Sequence, residues 1–320
     1  MGKIFITRKI PDAGLKLLRK SRHKVLVWPE DRVIPRDILL KRISGCDAVL
    51  TMLTERVDAR FIGAAGKNLK IVANMAVGFD NFDMKALADN RVMATNTPGV
   101  LTEAVAEHTF ALLMAIARRV TESERFLRAG KYRGWEPLLL LGTQLEGKTL
   151  GVIGLGRIGI SVARMAQKGL GMNIAYHDVA RNAEFEGDFD AEFCSLPDIL
   201  KKSDFISIHV PLLPSTRHLI GAAELKKMKR TAYLINTARG PIIDERAMVS
   251  ALKRKLIAGA ALDVFEKEPA LTPGLAKLDN VIITPHIASA TREARDAMAL
   301  MAAKGILDAL SKKVPLNLIS

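Results

Sequence analysis

The chain has 320 residues, 49% of them hydrophobic and 26% charged, with a formal net charge of +14. No apolar run reaches the roughly 20 residues of a membrane-spanning helix, and the opening residues MGKIFITRKIPD read as a first strand rather than a secretory leader. Two cysteines without metal-ligand spacing, Cys46 and Cys194, argue against a disulfide framework or a metal centre and for buried thiols in a reducing cytoplasm. The basic residues are scattered and aromatics are only 5%, so the charge reads as a solvated surface that attracts small anions, not as a nucleic-acid or membrane face.

From the start of the chain, short β-type runs alternate with helical ones. KIFIT precedes DAGLKLLRKS, KVLVW precedes RDILLKRI, DAVLTML precedes DARFIGAAG, and LKIVANM precedes FDMKALADN and then RVMATN. This order implies parallel strands with right-handed crossovers, and the lack of polar alternation implies helices on both sheet faces. LTEAVAEHTFALLMAIARRV is then expected to be one long helix buried all round, with His108 as a packed or partly solvated residue. The βα alternation restarts with TLGVIG, NIAYHD, FISIHV, AYLINT, IAGAALDV and VIITPH as strands. LPDILKKS, AAELKKMK and DERAMVSALKRKL supply helices between them, and an amphipathic helix runs from about Ala290 to near Leu310.

The stretch VIGLGRIG places Gly154, Gly156 and Gly159 between a strand and a helix. Alone, this pattern fits a tight turn as well as a nucleotide site. In a βα context, Gly154 permits the turn, Gly156 lets a pyrophosphate approach, and Gly159 lets helix pack on strand. The helix N-terminus then favours phosphate. Asp178 ends the next strand, where a carboxylate binds the ribose hydroxyls of NAD(H). A 2′-phosphate there would meet like charge, which favours NAD. Arg181 nearby offers that phosphate a cation, so NADP(H) stays open as second choice.

INTARGPIIDE (235–245), AALDVFEKEP (260–269) and ITPHIASAT (283–291), together with GLGRIG, resemble the D-isomer-specific 2-hydroxyacid dehydrogenases, nearest to the glyoxylate/hydroxypyruvate reductase branch. NMAVGFDNFD, TNTPGVLTEAVAEHTFALL and GWEPLLLLGTQLEGKTLG resemble it too, so the likeness spans nearly the whole chain. It implies a catalytic set of Arg239, Glu268 and His286. The chemistry suits these types: arginine forks a carboxylate, histidine exchanges protons near neutrality, and an adjacent acid orients the ring. Taken singly, Arg239 reads equally as an ion-pair partner, Glu268 as a solvated loop acid and His286 as a turn residue. Strand C-termini are nevertheless where α/β folds place ligands.

The resemblance also implies that Leu53 and Trp135 line the substrate pocket and that the amides of Val77 and Gly78 hold the substrate carboxylate, although a plain turn is the simpler alternative there. It assigns Thr102, Arg157, Ile158, His209, Pro211, Thr216, Thr237, Ala238, Asp263, Ala288 and Ser289 to the cofactor, beside His286. His218 reads as structural. Ala288 stands where many relatives have glycine and Val105 where threonine or alanine is common. Trp135 with Leu138–Leu141 forms an apolar patch expected in a homodimer interface. The end at Ser320 argues against the extended phosphoglycerate dehydrogenases.

The expected architecture is α/β, with two doubly wound parallel-sheet (Rossmann/flavodoxin-like) domains and a cleft between them. Residues 1–100 plus 288–320 form the substrate-binding domain and 101–287 the NAD(P)-binding domain. The expected function is reversible NAD(P)H-dependent reduction of glyoxylate and hydroxypyruvate, with no metal. The alternatives are an NAD(H)-sensing co-repressor-like protein, or another D-2-hydroxyacid, formate or phosphite dehydrogenase on the same scaffold.

Overall fold

The computed structural model describes residues 1–319. The chain forms two compact units, one of Met1–Leu101 plus the chain from Ser289 onward, the other of Thr102–Ala288.

The first unit follows the sequence order strand by strand: β1 (Lys3–Ile6), α1 (Asp12–Arg19), β2 (Lys24–Val27), α2 (Arg36–Arg42), β3 (Ala48–Thr51), α3 (Ala59–Ala65), β4 (Ile71–Asn74), α4 (Met84–Asp89) and β5 (Met93–Thr95). The strands are all parallel in the order β2-β1-β3-β4-β5, the flavodoxin-like winding. Asp58 and Asp83 cap α3 and α4 by accepting the amides of Phe61 and Ala86.

The second unit opens with α5 (Thr102–Ala117) and α6 (Val120–Arg128). It continues with β6 (Thr149–Ile153), α7 (Arg157–Leu170), β7 (Asn173–His177), α8 (Ala183–Phe189), β8 (Glu192–Phe193), α9 (Leu196–Lys202) and β9 (Phe205–Ile208). It closes with α10 (Ala222–Lys227), β10 (Tyr233–Asn236), α11 (Glu245–Lys253), β11 (Gly259–Leu262) and β12 (Val281–Ile283). Seven parallel strands run β12-β11-β10-β9-β6-β7-β8, a Rossmann winding with one added strand. Successive residues go to opposite faces and both faces are buried: Leu150, Val152, Phe205 and Ile235 pack on one side, Ile153, Ile206 and Leu234 on the other.

The final helix, α12 (Arg292–Leu310), returns to the first unit and packs on α1. Gly14 permits that approach, since a Cβ there would lie 2.5 Å from the carbonyl oxygen of Ala299.

Three details depart from the sequence reading. The long helix ends at Ala117, and Arg119, in the left-handed region at φ 53°, turns the chain into a separate α6. Nor is α5 buried all round, because Glu103, Glu107 and Met114 are exposed. Two-residue β8 carried too little pattern to be seen in the sequence. Cys46 and Cys194 are buried free thiols, as expected, and burial pushes both upward in pKa. No helix among the described residues is long and apolar enough to cross a membrane.

Candidate active site

Because the seven strands are parallel, the residues that follow their C-terminal ends share one edge of the second unit. Gly154 follows β6, Asp178 β7, His209 β9, Arg239 β10, Asp263 β11 and His286 β12. Ligands of open α/β sheets bind along this edge, where the strand order reverses.

The three glycines are required for three different reasons. Gly154 has φ +95°, and a Cβ on it would stand 2.7 Å from the His209 carbonyl carbon. A Cβ on Gly159 would stand 2.1 Å from the Gly154 carbonyl oxygen. At Gly156, by contrast, a Cβ would meet nothing within 4 Å. Gly156 precedes α7 without any side-chain cap, so the first-turn amides of Arg157 and Ile158 are left for another partner. Space kept open above uncapped helix amides suits a pyrophosphate. Asp178 accepts the Leu155 amide at 2.6 Å, which fixes the carboxylate beside the turn. These residues fit a dinucleotide.

On the other side of the edge, His286 Nδ1 lies 2.9 Å from Glu268 Oε2, while Glu268 Oε1 accepts the Phe265 amide at 3.0 Å. Partial burial pushes the Glu268 carboxyl up. The His286 hydrogen bond and charge, the Phe265 amide and the Arg239 guanidinium outweigh it and hold the group below the usual glutamate range. Gly240 explains how the Arg239 loop reaches this place: a Cβ there would stand 1.9 Å from the carbonyl carbon of Phe265. Only glycine lets the loops after β10 and β11 touch backbone to backbone. Arg239 Nη1 donates to the Ala238 carbonyl at 2.8 Å, and Asn236 Nδ2 donates to the Arg239 carbonyl at 2.9 Å. A cation, an imidazole and an acid are therefore gathered on the edge that carries the glycine turn.

The model for the NAD-binding domain of D-isomer specific 2-hydroxyacid dehydrogenases matches residues 110–288. Over 322 residues the chain is 46% identical to a glyoxylate reductase of Thermococcus litoralis, covering 99% of this chain and 96% of that protein.

The chain belongs to the D-isomer-specific 2-hydroxyacid dehydrogenase family.

A solved structure of a Thermus thermophilus protein superposes with a TM-score of 0.93 at 41% identity, over 99% of this chain and all of the other. An NADPH-dependent glyoxylate/hydroxypyruvate reductase of Sinorhizobium meliloti, solved with NADP and malonate, gives 0.86 at 30% identity, over 100% of this chain and 97% of that one. A nicotinamide cofactor and an oxidoreductase function follow for this member of the family.

Not every expected contact is available in the form the sequence suggested. The Thr237 hydroxyl is buried and 2.7 Å from that of Thr109, which itself donates to the Val105 carbonyl. Thr237 thus ties β10 to α5 with its side chain. Thr216 Oγ1 donates to the Pro211 carbonyl at 2.6 Å and accepts the Leu213 amide, so it shapes the loop after β9 from within. Arg181, a candidate phosphate ligand, is instead paired with Glu186. His209 accompanies Ser207 at 2.8 Å, and burial pushes its imidazole down to about 3, so the ring is neutral. His218 pairs with Glu266 at 3.0 Å, in keeping with a structural role.

In the first unit, Leu53 is exposed beyond β3. Val77 and Gly78 follow β4, where their carbonyls accept Asn96 Nδ2 and Asn74 Nδ2 at 2.8 and 2.9 Å. Neither amide enters a hydrogen bond among the described residues. Thr102 opens α5, Pro211 is exposed, and Ala238 and Ser289 are half-buried. Trp135, Leu138 and Leu141 are exposed on the loop after α6.

His108 is half-buried, in keeping with its reading as a packed or partly solvated residue, and the structure adds its partners. From α5 it reaches Thr284 Oγ1 at 3.2 Å and Asp263 Oδ1 at 3.5 Å. No local signal marks these contacts, since Thr284 is 176 residues away.

Proposed function

We propose that this dehydrogenase reduces glyoxylate and hydroxypyruvate, reversibly, to glycolate and D-glycerate, with NADH preferred over NADPH. The hydrogen-bonded His286–Glu268 pair, set beside Arg239 on the edge of a dinucleotide fold, carries the reading. When bound, the nicotinamide supplies the hydride. Gly154, Gly156, Gly159 and the amides opening α7 hold the pyrophosphate, and Asp178 holds the adenosine ribose.

Arg239 takes the substrate carboxylate and draws electron density towards the carbonyl oxygen, as a planar guanidinium can. In the first unit, the amides of Val77 and Gly78 form an anion nest suited to a carboxylate, and Leu53 and Trp135 stay as substrate-binding candidates. With Nδ1–H donated to Glu268, Nε2 is the nitrogen that exchanges a proton with the substrate oxygen. Reduction needs the protonated ring, and the acid beside it orients that ring. Oxidation uses the same ring as a base.

The remaining assignments are a cytoplasmic homodimer built on the Trp135–Leu141 segment, the first unit as the substrate-binding domain, and no nucleic-acid or membrane partner. Initial rates for a panel of 2-oxo acids, each with NADH and NADPH, test the proposal. The expected result is fastest turnover of glyoxylate or hydroxypyruvate with NADH. Absence of turnover with every 2-oxo acid tried would overturn it.

A further inference from the structure

The loop after β7 contains a device that the sequence does not disclose. Arg181 stands three residues beyond Asp178, where an arginine usually raises the prospect of gripping a 2′-phosphate. Its guanidinium is already engaged. Nε donates to both carboxylate oxygens of Glu186 at 2.8 Å, and Nη2 donates to Oε2 at 2.6 Å.

Glu186 is itself anchored. Its Oε1 accepts the hydroxyl of Tyr176 at 2.6 Å, and that hydroxyl accepts the Asn182 amide at 2.7 Å. Tyr176 belongs to β7, is fully buried, and meets the rings of Phe185 and Phe193. Asn182 caps α8, the helix that carries Glu186, by accepting the Phe185 amide at 3.0 Å. The carboxylate is thus held to the sheet by a tyrosine whose hydroxyl also takes the Asn182 amide, with only 13% of its side chain exposed against 69% for Arg181. An ordinary surface pair would exchange its partners freely. Here one partner is fixed, and the arginine presents to it the Nε–Nη2 side of the fork, one of the two sides suited to bidentate phosphate.

We propose that Glu186 is a specificity-determining residue that keeps Arg181 from serving as a 2′-phosphate ligand, so that the site admits the dinucleotide lacking that phosphate. Asp178 repels the 2′-phosphate directly, and Glu186 removes the nearby cation that would compensate. This rests on the NADH preference proposed above and names a second residue responsible for it.

The test uses the whole protein, with adenosine 2′,5′-bisphosphate and ADP as probes in calorimetry. E186Q keeps the shape and an acceptor for Tyr176 but releases the charge on Arg181. The bisphosphate is expected to bind about tenfold more tightly to E186Q, the size of one modest interaction, with the ADP affinity changing less than twofold. kcat/KM for NADPH should rise in parallel, through KM. The gain should vanish in E186Q/R181A, while R181A alone should leave the bisphosphate affinity where it was. Y176F, which loosens the anchor without touching either charge, should give a smaller gain in the same direction and serves if E186Q folds poorly.

A loss of bisphosphate affinity in R181A alone would show that the arginine is already available and overturn the proposal. So would an E186Q gain that survives removal of Arg181, or no gain in either E186Q or Y176F. A chain that preferred NADPH outright would defeat the cofactor reading by itself, and the E186Q and R181A comparisons would still decide the role of Glu186.

Discussion

Asp263 accepts the backbone amide of Ile287, the residue after His286, at 2.9 Å. The same buried carboxylate takes the Ala288 amide and the Thr284 hydroxyl, both at 2.7 Å. The turn that presents His286 therefore hangs on one acid at the end of β11. His286 itself has φ 53°, a left-handed conformation that costs energy in a non-glycine residue and persists only when its surroundings impose it. Burial raises the Asp263 carboxyl, but His108, Thr284 and the two amides hold it below the usual range and so keep it ionised.

Asp263→Asn should therefore disturb His286 without touching it. The amide would set an N–H against donors and cost about 1–3 kcal/mol of stability. Turnover should fall by about 10²-fold through misplacement of the ring. Thermal unfolding and kcat, measured on one preparation, check both. Unchanged kcat with lowered stability would confine Asp263 to folding.

His286→Ala should lose roughly 10²–10⁴ in kcat, the range of a positioned proton donor, while cofactor affinity, followed by NADH fluorescence, changes little. Full activity in the variant would remove His286 from the mechanism.

The two directions should respond oppositely to pH. With His286 in its proposed role as proton donor, reduction should slow and oxidation accelerate as pH rises. Glu268→Gln keeps the size but removes the carboxylate that holds the ring, so the rates in both directions should fall. Stability also depends on pH. The Glu268 pKa is depressed in the fold, so its contribution is present above the ordinary glutamate value and is lost as pH falls through the depressed one. The acid side of the melting-temperature profile should be flatter in Glu268→Gln. Identical pH–rate profiles in both directions would refute the proton-transfer role.

Gly156 and Gly159 should separate binding from folding. Gly159→Ala drives a methyl into the Gly154 carbonyl and should cost about 1–3 kcal/mol, the range for overpacking. Gly156→Ala meets nothing in the protein, so its melting temperature should hold while NADH affinity drops about tenfold or more. Equal losses of stability in the two variants would contradict the ligand-facing role of Gly156.

Trp135 and Leu138, 83% and 78% exposed, should be covered by a second copy of the chain. Sedimentation should show a dimer for the unaltered protein and a monomer for Trp135→Ser/Leu138→Ser. A monomer in both would leave the patch without this explanation.

Much of this molecule is written locally. Eleven of the twelve strands, all but β8, are three to five residues long and lie in β-type runs that are legible without their partners. The glycine spacing is likewise a backbone requirement within six residues, from Gly154 to Gly159. Where the local signal was weak, as in two-residue β8, or interrupted by a single left-handed residue, as at Arg119, the element or its end was not legible.

The sequence by itself determined the winding of two parallel sheets and the chemical types available at the strand ends, because hydrophobic periodicity and glycine stereochemistry act over a few residues. The tertiary structure alone decided which side chains meet: Glu268 with His286, His108 with Thr284, and Arg181 with Glu186 rather than with solvent. A hydrogen bond depends on the distance and angle between atoms, and chain separation does not set these until the strands between them have been placed side by side.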